Sequence, residues 1–202
     1  MTYPYSLSFV VPCYNEVDNI RLFKRRAFEC FDAEGISLEI VFVNDGSQDG
    51  TFELLREVVS ETDPSHPVQA VQFSRNFGKE SAMYAGMEAS RGEYVVIMDV
   101  DLQDPPSLLP QMLQGIRQEG YDCVATRRVT RAGEPKVRSF FARMFYRLIN
   151  RISKTEIVDG ARDFRMMTRQ MVESILSLHE VSRFSKGMQK HAAFWLTLCI
   201  RP

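Results

Sequence analysis

Apolar and polar residues follow two different periods along most of the chain. Short apolar runs rich in Val, Ile and Phe alternate with longer stretches in which apolar residues recur at every third or fourth position. The short runs predict buried β-strands, and the longer stretches predict amphipathic α-helices. Regular alternation of the two is typical of βαβ units, so the sequence predicts an α/β fold with a mostly parallel sheet flanked by helices.

The apolar runs predict five strands, with helices connecting the first four and a further helix before the fifth. Asn15 is expected to cap the first helix, because an Asn side chain accepts hydrogen bonds from the free amides of a helix start. Beyond residue 126 the alternation stops, and no further βαβ unit is predicted. The predicted strands are 6–11, 38–43, 68–73, 94–98 and 123–126.

A different pattern covers residues 135–153. Aromatic and aliphatic side chains trace one helical face there, and Arg and Lys occupy the rest, with no acidic residue between Lys136 and Lys154. An apolar face beside a basic face is typical of a helix that lies at a membrane interface. The sequence therefore predicts a C-terminal amphipathic interfacial helix. An ordinary amphipathic helix packed on the sheet stays open as the alternative.

The overall composition excludes several classes of protein. The 202 residues, 25% of them charged, have the size and makeup of one globular domain. The 25 basic and 26 acidic residues give a net charge of −1, so no nucleic-acid partner is expected. The four cysteines form no C-x-x-C pair and the three histidines lie in unrelated segments, which predicts reduced thiols and no zinc site. No apolar stretch reaches the roughly 18 residues that span a membrane.

Candidate chemistry collects in the loops that follow the predicted strands. The carboxyl ends of parallel strands meet at one edge of the sheet, where α/β proteins bind their ligands. Turn formation explains any single polar cluster equally well, but four clusters together predict one binding edge. The polar clusters that follow the first four strands are 12–16, 44–50, 74–80 and 99–104.

Several familiar sites are excluded by spacing. The loop after the first strand lacks G-x-G-x-x-G, and neither a Walker loop nor a G-x-S-x-G elbow occurs, so dinucleotide binding and hydrolase chemistry are unsupported. Asp45 begins a series that imitates a calcium-binding EF-hand loop. However, Arg56 stands where that loop needs a bidentate Glu.

Two carboxylates follow the fourth predicted strand directly. Alternation along extended chain sends Asp99 and Asp101 to the same side, and the amide oxygen of Gln103 can join them. Such hard oxygen donors suit Mg²⁺ or Mn²⁺, which complete their shell with water and substrate phosphates. The sequence therefore predicts a metal site that clamps a diphosphate.

The ordered polar blocks resemble those of a known family, the family 2 glycosyltransferases of the GT-A (Rossmann-like) fold. Within it they are similar to the polyprenyl-phosphate glycosyltransferases of the dolichyl-phosphate mannose synthase type. The resemblance continues through later blocks, including Asp163-Phe164-Arg165-Met166. The first four blocks are PCYNE at 12–16, NDGSQDGT at 44–51, SRNFGKE at 74–80 and MDVDLQDPP at 98–106.

This resemblance implies an inverting hexosyltransferase that moves sugar from a nucleotide diphosphate sugar, UDP- or GDP-linked, to a polyprenyl phosphate. The protein is expected to be cytoplasmic and peripheral at the inner membrane face, and a homo-oligomer is left open. The implied roles follow by position. The residues expected to bind the donor are Pro12, Tyr14, Glu16, Asp45, Lys79 and Asp99; those for the cation are Asp99, Asp101 and Gln103; those for the acceptor phosphate are Arg128, Arg131 and Arg138; and those for catalysis are Asp101, Asp104 and Asp163. For Asp163, pairing with the neighbouring Arg162 or Arg165 in the fold stays open as the alternative.

The resemblance also divides the chain. Residues 1–130 are expected to form the nucleotide-sugar-binding core, 131–187 the acceptor-binding and interfacial helices of the same domain, and 188–202 an atypical tail. The tail departs from the family's usual continuation, and Arg162 and Ala142 depart from its usual residues at those positions. Because of this tail, a non-catalytic nucleotide-sugar-binding module stays open as an alternative. Among enzymes, the open alternative is a family 2 transferase with a polysaccharide or protein acceptor.

Overall fold

The computed structural model describes residues 3–32, 35–127, 161–177 and 196–200. A short 3-10 turn, Pro106–Leu108, leads into the fourth helix. The strands of this part of the chain are β1 Tyr5–Cys13, β2 Leu38–Asn44, β3 Val68–Gln72, β4 Gly92–Ile97, β5 Cys123–Arg127, β6 Ala161–Thr168 and β7 Leu196–Ile200. Its helices are α1 Ile20–Asp32, α2 Thr51–Ser60, α3 Lys79–Ala89, α4 Leu109–Glu119 and α5 Arg169–Leu176.

The described strands form one sheet in the order β3-β2-β1-β4-β6-β5-β7. The four strands β3, β2, β1 and β4 run parallel, as the alternating pattern predicted. β6 is antiparallel to both β4 and β5, and β7 pairs parallel with β5. The mostly parallel α/β sheet flanked by helices is confirmed.

The five predicted strands correspond to β1–β5, with bounds that agree to within two residues. β6, α5 and β7 were not predicted, because they lie beyond the point where the alternation stops. The prediction that Asn15 caps the first helix is wrong, since α1 begins at Ile20. Asn15 instead has a positive φ of 57° and belongs to the loop after β1.

The central strands are buried on both faces, which explains their continuous apolar runs. On one face, Phe9 of β1 contacts Phe23 of α1 edge to face, with ring centroids 6.1 Å apart. On the other face, Val10 belongs to a cluster with side chains of α3 and α5. Gly86 lets α3 lie close to the sheet, because a Cβ there would meet the side chains of Val10 and Val43. Each large apolar side chain buried in this way stabilises the fold by about 2 kcal/mol.

A buried polar cluster lies near the amino ends of these strands, on the α3 and α5 face. Glu39, which is 1% exposed, accepts hydrogen bonds from the Ser8 hydroxyl and from the backbone amide of Arg91. Arg169, the first residue of α5, donates from Nε to the carbonyl of Gly92 at 2.9 Å. We call this the amino-end cluster; it consists of Ser8, Glu39, Gln69, Ser90, Arg91, Gly92 and Arg169.

Several sequence predictions fall outside the described residues. The interfacial helix at 135–153 is one of them, and so are most of the two C-terminal segments, 131–187 and 188–202. The described parts of those segments, β6, α5 and β7, belong to the same sheet and its helices. Among the residues with described structure, no helix has both the length and the apolar character needed to cross a membrane.

Candidate active site

A cleft of about 320 Å³ opens at the carboxyl ends of β1, β2, β3 and β4. It is the edge at which the sequence predicted ligand binding. All six predicted donor-binding residues contribute to its lining, together with Asp101. The lining residues are Pro12, Cys13, Tyr14, Glu16, Asp45, Asn76, Gly78, Lys79, Asp99, Val100 and Asp101.

The loops after β1 and β2 are joined by hydrogen bonds that involve both backbone and side chains. The amide of Asn15 donates to the Ser47 hydroxyl at 2.9 Å, and the Asn15 side-chain oxygen accepts from the Gln48 amide at 3.0 Å. The amide of Glu16 donates to Thr51 Oγ1 at 2.9 Å. These contacts explain why Asn15 caps no helix, since its side chain holds the neighbouring loop.

Asp45 connects the loop after β2 to the loop after β3. Asp45 is 4% exposed, and its carboxylate accepts hydrogen bonds from the amides of Phe77, at 2.7 Å, and Gly78, at 2.9 Å. Gly46 allows the close approach: its φ is 68°, and a Cβ would overlap the backbone of Arg75. Asp45 therefore fixes the segment that ends at Lys79, and it also lines the cleft.

Two aromatic side chains in the loops that form the cleft are open to solvent, Tyr14 in its lining and Phe77 between two lining residues. Tyr14 is 45% exposed and Phe77 is 49% exposed. The Arg75 guanidinium lies over the Phe77 ring, 4.8 Å from its centroid. The Glu16 carboxylate accepts from Asn19 Nδ2 at 2.7 Å, which orients it within the same loop.

Asp99 and Asp101 both reach the cleft, although by a different route from the predicted alternation. β4 ends at Ile97, and Val100, between the two acids, is buried at 2% exposure. Leu102 then adopts a φ of 55°. This turn brings the Gln103 amide within 3.1 Å of Asp101 Oδ1, to which it donates.

Two further predicted residues of this loop do not line the cleft. Gln103 is exposed, and its described hydrogen bond is made by its backbone amide rather than by the predicted side-chain oxygen. Asp104 is half-buried beside it. The cation and catalytic roles expected for these two residues remain predictions.

A chain of alternating charges runs along one side of the cleft. Lys79 Nζ lies 2.6 Å from Asp99 Oδ1 and 2.8 Å from Asp163 Oδ2. Asp163 Oδ1 in turn accepts from Arg165 Nη2 at 3.1 Å, and Arg165 is only 3% exposed. The structure therefore brings Asp163 to Lys79 and Asp99, from an element that the sequence pattern did not predict.

Electrostatics sets the protonation of two groups in the cleft. Burial lowers the pKa of Lys79, but hydrogen bonds to Asp163 and Asp99 outweigh it and raise the pKa above its usual range, so the ammonium stays charged. Burial raises the pKa of the Cys13 thiol, and the nearby Glu16 and Asp99 raise it further. Cys13 therefore stays protonated and does not act as a nucleophile.

The acidic residues suit a divalent cation that also binds substrate oxygens. The described residues contain no group of three or more His, Cys, Asp or Glu side chains placed to hold a metal on their own. However, Mg²⁺ sites commonly use one or two carboxylates and take the remaining ligands from water and phosphate. Asp99 and Asp101, which both line the cleft, match that donor set.

The sequence left open that Asp163 pairs with an arginine of the fold; the structure shows that Arg165 is such a partner and that Lys79 contacts Asp163 as well, but the strand that carries Asp163 and Arg165 was missed. In β6, Asp163 and Arg165 alternate with the buried Phe164 and Met166, a period of two that signals a strand. That signal was available, but an isolated run with charged residues on one face was not interpreted as part of the sheet.

The predicted acceptor residues Arg128, Arg131 and Arg138 lie outside the described residues.

Comparison with known proteins agrees with this geometry. The chain is 41% identical to a glycosyltransferase of Synechocystis over 90% of its length, and 38% identical to the bactoprenol glucosyl transferase of Shigella phage SfX over the same share. It spans only 56% and 58% of the length of these two curated relatives.

A solved structure confirms the fold independently. It is the mannosyltransferase of Pyrobaculum calidifontis in complex with GDP-Man and Mn²⁺, which matches with a TM-score of 0.62 at 21% identity. The match covers 99% of this chain and 57% of that one, and it supports the expected GT-A architecture.

The family model described as "Glycosyl transferase family 2" matches residues 8–176. This range includes each of the four loops that line the cleft, as well as Asp163 and Arg165 in β6. The family resemblance inferred from the polar blocks is thereby confirmed: the chain belongs to glycosyl transferase family 2.

Proposed function

We propose that this chain carries the donor-binding and catalytic part of an inverting glycosyltransferase. It moves a hexose from a nucleotide diphosphate sugar to a polyprenyl phosphate at the cytoplasmic face of the membrane. The observation that carries the proposal is the convergence of four post-strand loops on one cleft, which brings the six expected donor residues together with Asp101. The glucosyl transferases named for bactoprenol, at 38% identity, support the lipid acceptor.

Donor binding uses the two halves of the cleft differently. Pro12, Tyr14 and Glu16 form the wall for the base and ribose, with the exposed Tyr14 ring available for stacking. Asp45 keeps the facing loop in place through the amides of Phe77 and Gly78 and offers its remaining lone pairs to the nucleoside. The diphosphate then lies toward the acidic side of the cleft.

Asp99 and Asp101 would hold Mg²⁺ or Mn²⁺ there, in agreement with the Mn²⁺ present in the Pyrobaculum complex. When bound, such a cation neutralises the negative charge that grows on the departing diphosphate. Asp101 keeps its carboxylate oriented through the Gln103 amide, so little reorganisation is needed as the charge develops.

The reaction itself needs little acid-base chemistry. An acceptor phosphate monoester, with a second pKa near 6, is already mostly dianionic at neutral pH. One of its oxygens attacks the anomeric carbon, and the bond from that carbon to the diphosphate breaks on the opposite side, which inverts the configuration. Asp104 and Asp163 remain the carboxylates proposed to act near this step. Arg128, Arg131 and Arg138 are proposed to bind the acceptor phosphate, because guanidinium forks match phosphate geometry.

The acceptor also explains the basic amphipathic segment at 135–153, which we propose to hold the protein at the bilayer surface. Binding to anionic liposomes in low salt, lost at high salt, is the expected result in a co-sedimentation assay. Failure to bind at either salt concentration would contradict the interfacial role.

The central experiment measures sugar transfer directly. Purified protein receives labelled UDP-glucose or GDP-mannose, Mn²⁺ and a short-chain polyprenyl phosphate, and the lipid-linked product is followed by extraction and mass spectrometry. We expect product from one of the two donors and none when the lipid lacks its phosphate. Donor binding without transfer to any polyprenyl phosphate would contradict the proposed acceptor, and absence of nucleotide-sugar binding would contradict the proposed function as a whole.

A further inference from the structure

Two carboxylates, one just after β4 and one in the neighbouring β6, approach the same point at the edge of the cleft. β4 and β6 are antiparallel, with Ile97 opposite Arg165. Asp99 and Asp163 each lie two residues beyond that pair, and Lys79 Nζ lies within 2.8 Å of both carboxylates. Two carboxylates this close repel each other unless a cation lies between them.

The ammonium of Lys79 is that cation. It contacts Asp99 at 2.6 Å and Asp163 at 2.8 Å, and it comes from the first turn of α3, a third element. The position of Lys79 is set from behind, since Asp45 binds the amides of the two residues that precede it. The position of the Lys79 ammonium is therefore fixed by Asp45 through the backbone before α3 and by its contacts with Asp99 and Asp163.

The two carboxylates differ in what else neutralises them. Asp163 also pairs with the guanidinium of Arg165, which is buried and fixed in β6. Lys79 is the cation that the structure places on Asp99, and both of these side chains are about two-fifths exposed to the cleft. The counter-ion of Asp99 is thus a half-exposed side chain, whereas Asp163 has a buried one as well.

We propose that Lys79 is a resident counter-ion that a divalent cation must displace from Asp99, so that metal binds tightly only together with the nucleotide diphosphate. This inference rests on the proposed function. A divalent ion on Asp99 would lie close to the ammonium, and the two positive charges repel. The donor's diphosphate removes the conflict, because its oxygens accept the ammonium of Lys79 while they complete the shell of the metal.

The consequence is a coupling between two ligands. Nucleotide diphosphate raises the affinity for metal, and by linkage metal raises the affinity for nucleotide diphosphate by the same factor. Without the donor, Lys79 neutralises Asp99 and Asp163, and the cleft therefore binds free cations only weakly. Asp163 holds the released ammonium within the cleft, next to its original position.

The test is a titration with Mn²⁺ alone, read from the electron paramagnetic resonance signal of free Mn²⁺, and repeated in the presence of UDP or GDP. We expect wild-type protein to bind Mn²⁺ weakly alone and more tightly with one of the nucleotides. Lys79→Gln should bind Mn²⁺ alone about five- to tenfold more tightly than wild type, because a competing positive charge is gone. The gain in Mn²⁺ affinity on adding nucleotide should shrink accordingly.

Two variants separate this mechanism from a general change in charge. Lys79→Arg retains a cation at the same place and should keep wild-type Mn²⁺ affinity to within about twofold. Arg75→Gln removes a positive charge that lies over the Phe77 ring and is not among the residues that line the cleft, and it should also leave Mn²⁺ affinity nearly unchanged.

The outcomes distinguish the inference from the function on which it rests. If Lys79→Gln binds Mn²⁺ no more tightly than wild type, or if Arg75→Gln tightens it equally, Lys79 is not an exchangeable counter-ion, although the proposed function stands. If wild-type protein binds Mn²⁺ no more tightly in the presence of UDP or GDP than alone, the coupling is overturned; if it also binds neither nucleotide, the proposed function is overturned with it.

Discussion

The two ends of the central strands carry similar polar side chains in opposite situations. At the amino end, Glu39 and Arg169 are almost fully buried, and their hydrogen bonds go to hydroxyls, amides and carbonyls of the same cluster. At the carboxyl end, Lys79 and Asp99 are about two-fifths exposed, and they pair mainly with other charged side chains.

This difference shows how one sheet separates stability from ligand binding. Buried polar groups whose hydrogen bonds are satisfied fix a single arrangement, and removing one leaves its partners without hydrogen bonds. Half-exposed charges that pair with one another can exchange those partners for a ligand at smaller cost. Substitutions at the amino end should therefore reduce folding stability, and substitutions in the cleft should reduce turnover.

The largest expected effect is loss of turnover at the carboxyl end. Asp101→Asn removes a negative charge from the cleft wall while preserving the shape of the side chain and an oxygen that can accept from the Gln103 amide. We expect transfer to fall by about a thousandfold, because stabilisation of the leaving diphosphate is lost. The free energy of unfolding, measured by chemical denaturation, should change little. A normal transfer rate would show that Asp101 binds no metal in the reaction.

The second prediction concerns the amino end, where we expect a loss of folding stability and no loss of turnover. Glu39→Ala removes the acceptor of the Ser8 hydroxyl and of the Arg91 amide, both within the amino-end cluster. We expect unfolding to become easier by about 3 kcal/mol, since buried donors lose their partners. The turnover number per folded molecule should stay at the wild-type value.

Glu39→Gln is the matched control, because it keeps an oxygen for Ser8 and should lose less stability. If Glu39→Ala instead impaired turnover in the folded protein, the separation between the two ends of the sheet would be disproved.

The parts of the fold that the sequence predicted are those whose local pattern and tertiary environment agree. β1–β5 are apolar runs that the sheet buries, so the pattern alone locates them. β6 was missed because it carries Asp163 and Arg165 in its middle, and only its antiparallel pairing with β4 makes a strand the favourable conformation there. The alternation of charged and apolar residues in β6 is a local signal of a strand, but a single run of this kind does not identify the strand with which it pairs.

The sequence predicted which loops form the candidate site, but not which of their side chains contact one another. The residue types after β1–β4 indicated a binding edge, and those loops do line one cleft. The link between Lys79, Asp99 and Asp163 depends on strand register and on the start of α3, which are three-dimensional facts. Likewise, the backbone contacts of Asp45 could not be inferred from its place in a turn-forming block.

A third, smaller effect is expected where the cleft meets β6. Asp163→Asn removes the negative charge between Lys79 and Arg165 but keeps the size of the side chain. We expect turnover to fall about tenfold, equivalent to about 1.4 kcal/mol, because the ammonium of Lys79 is less well positioned. Unchanged turnover and substrate affinity together with a lower denaturation midpoint would mean that Asp163 serves only as a partner of Arg165 in the fold.

The smallest effect concerns pH at the amino end of the sheet, away from the cleft. Slight burial lowers the pKa of His66, but hydrogen bonds to Asp32 and Asp63 outweigh it and raise the pKa above its usual value. A raised pKa in the folded state stabilises the protein fully below the ordinary histidine pKa, and this contribution is lost as pH rises through the folded-state value. Between about pH 6 and pH 8, wild type should therefore lose stability relative to His66→Asn as the pH rises. Denaturation midpoints of the two proteins across this range measure the difference, which should be small because the ion pairs are largely exposed. Parallel curves at every pH would mean that the two carboxylates do not bind the charged imidazole, and that polar groups at this end of the sheet contribute only where they are buried.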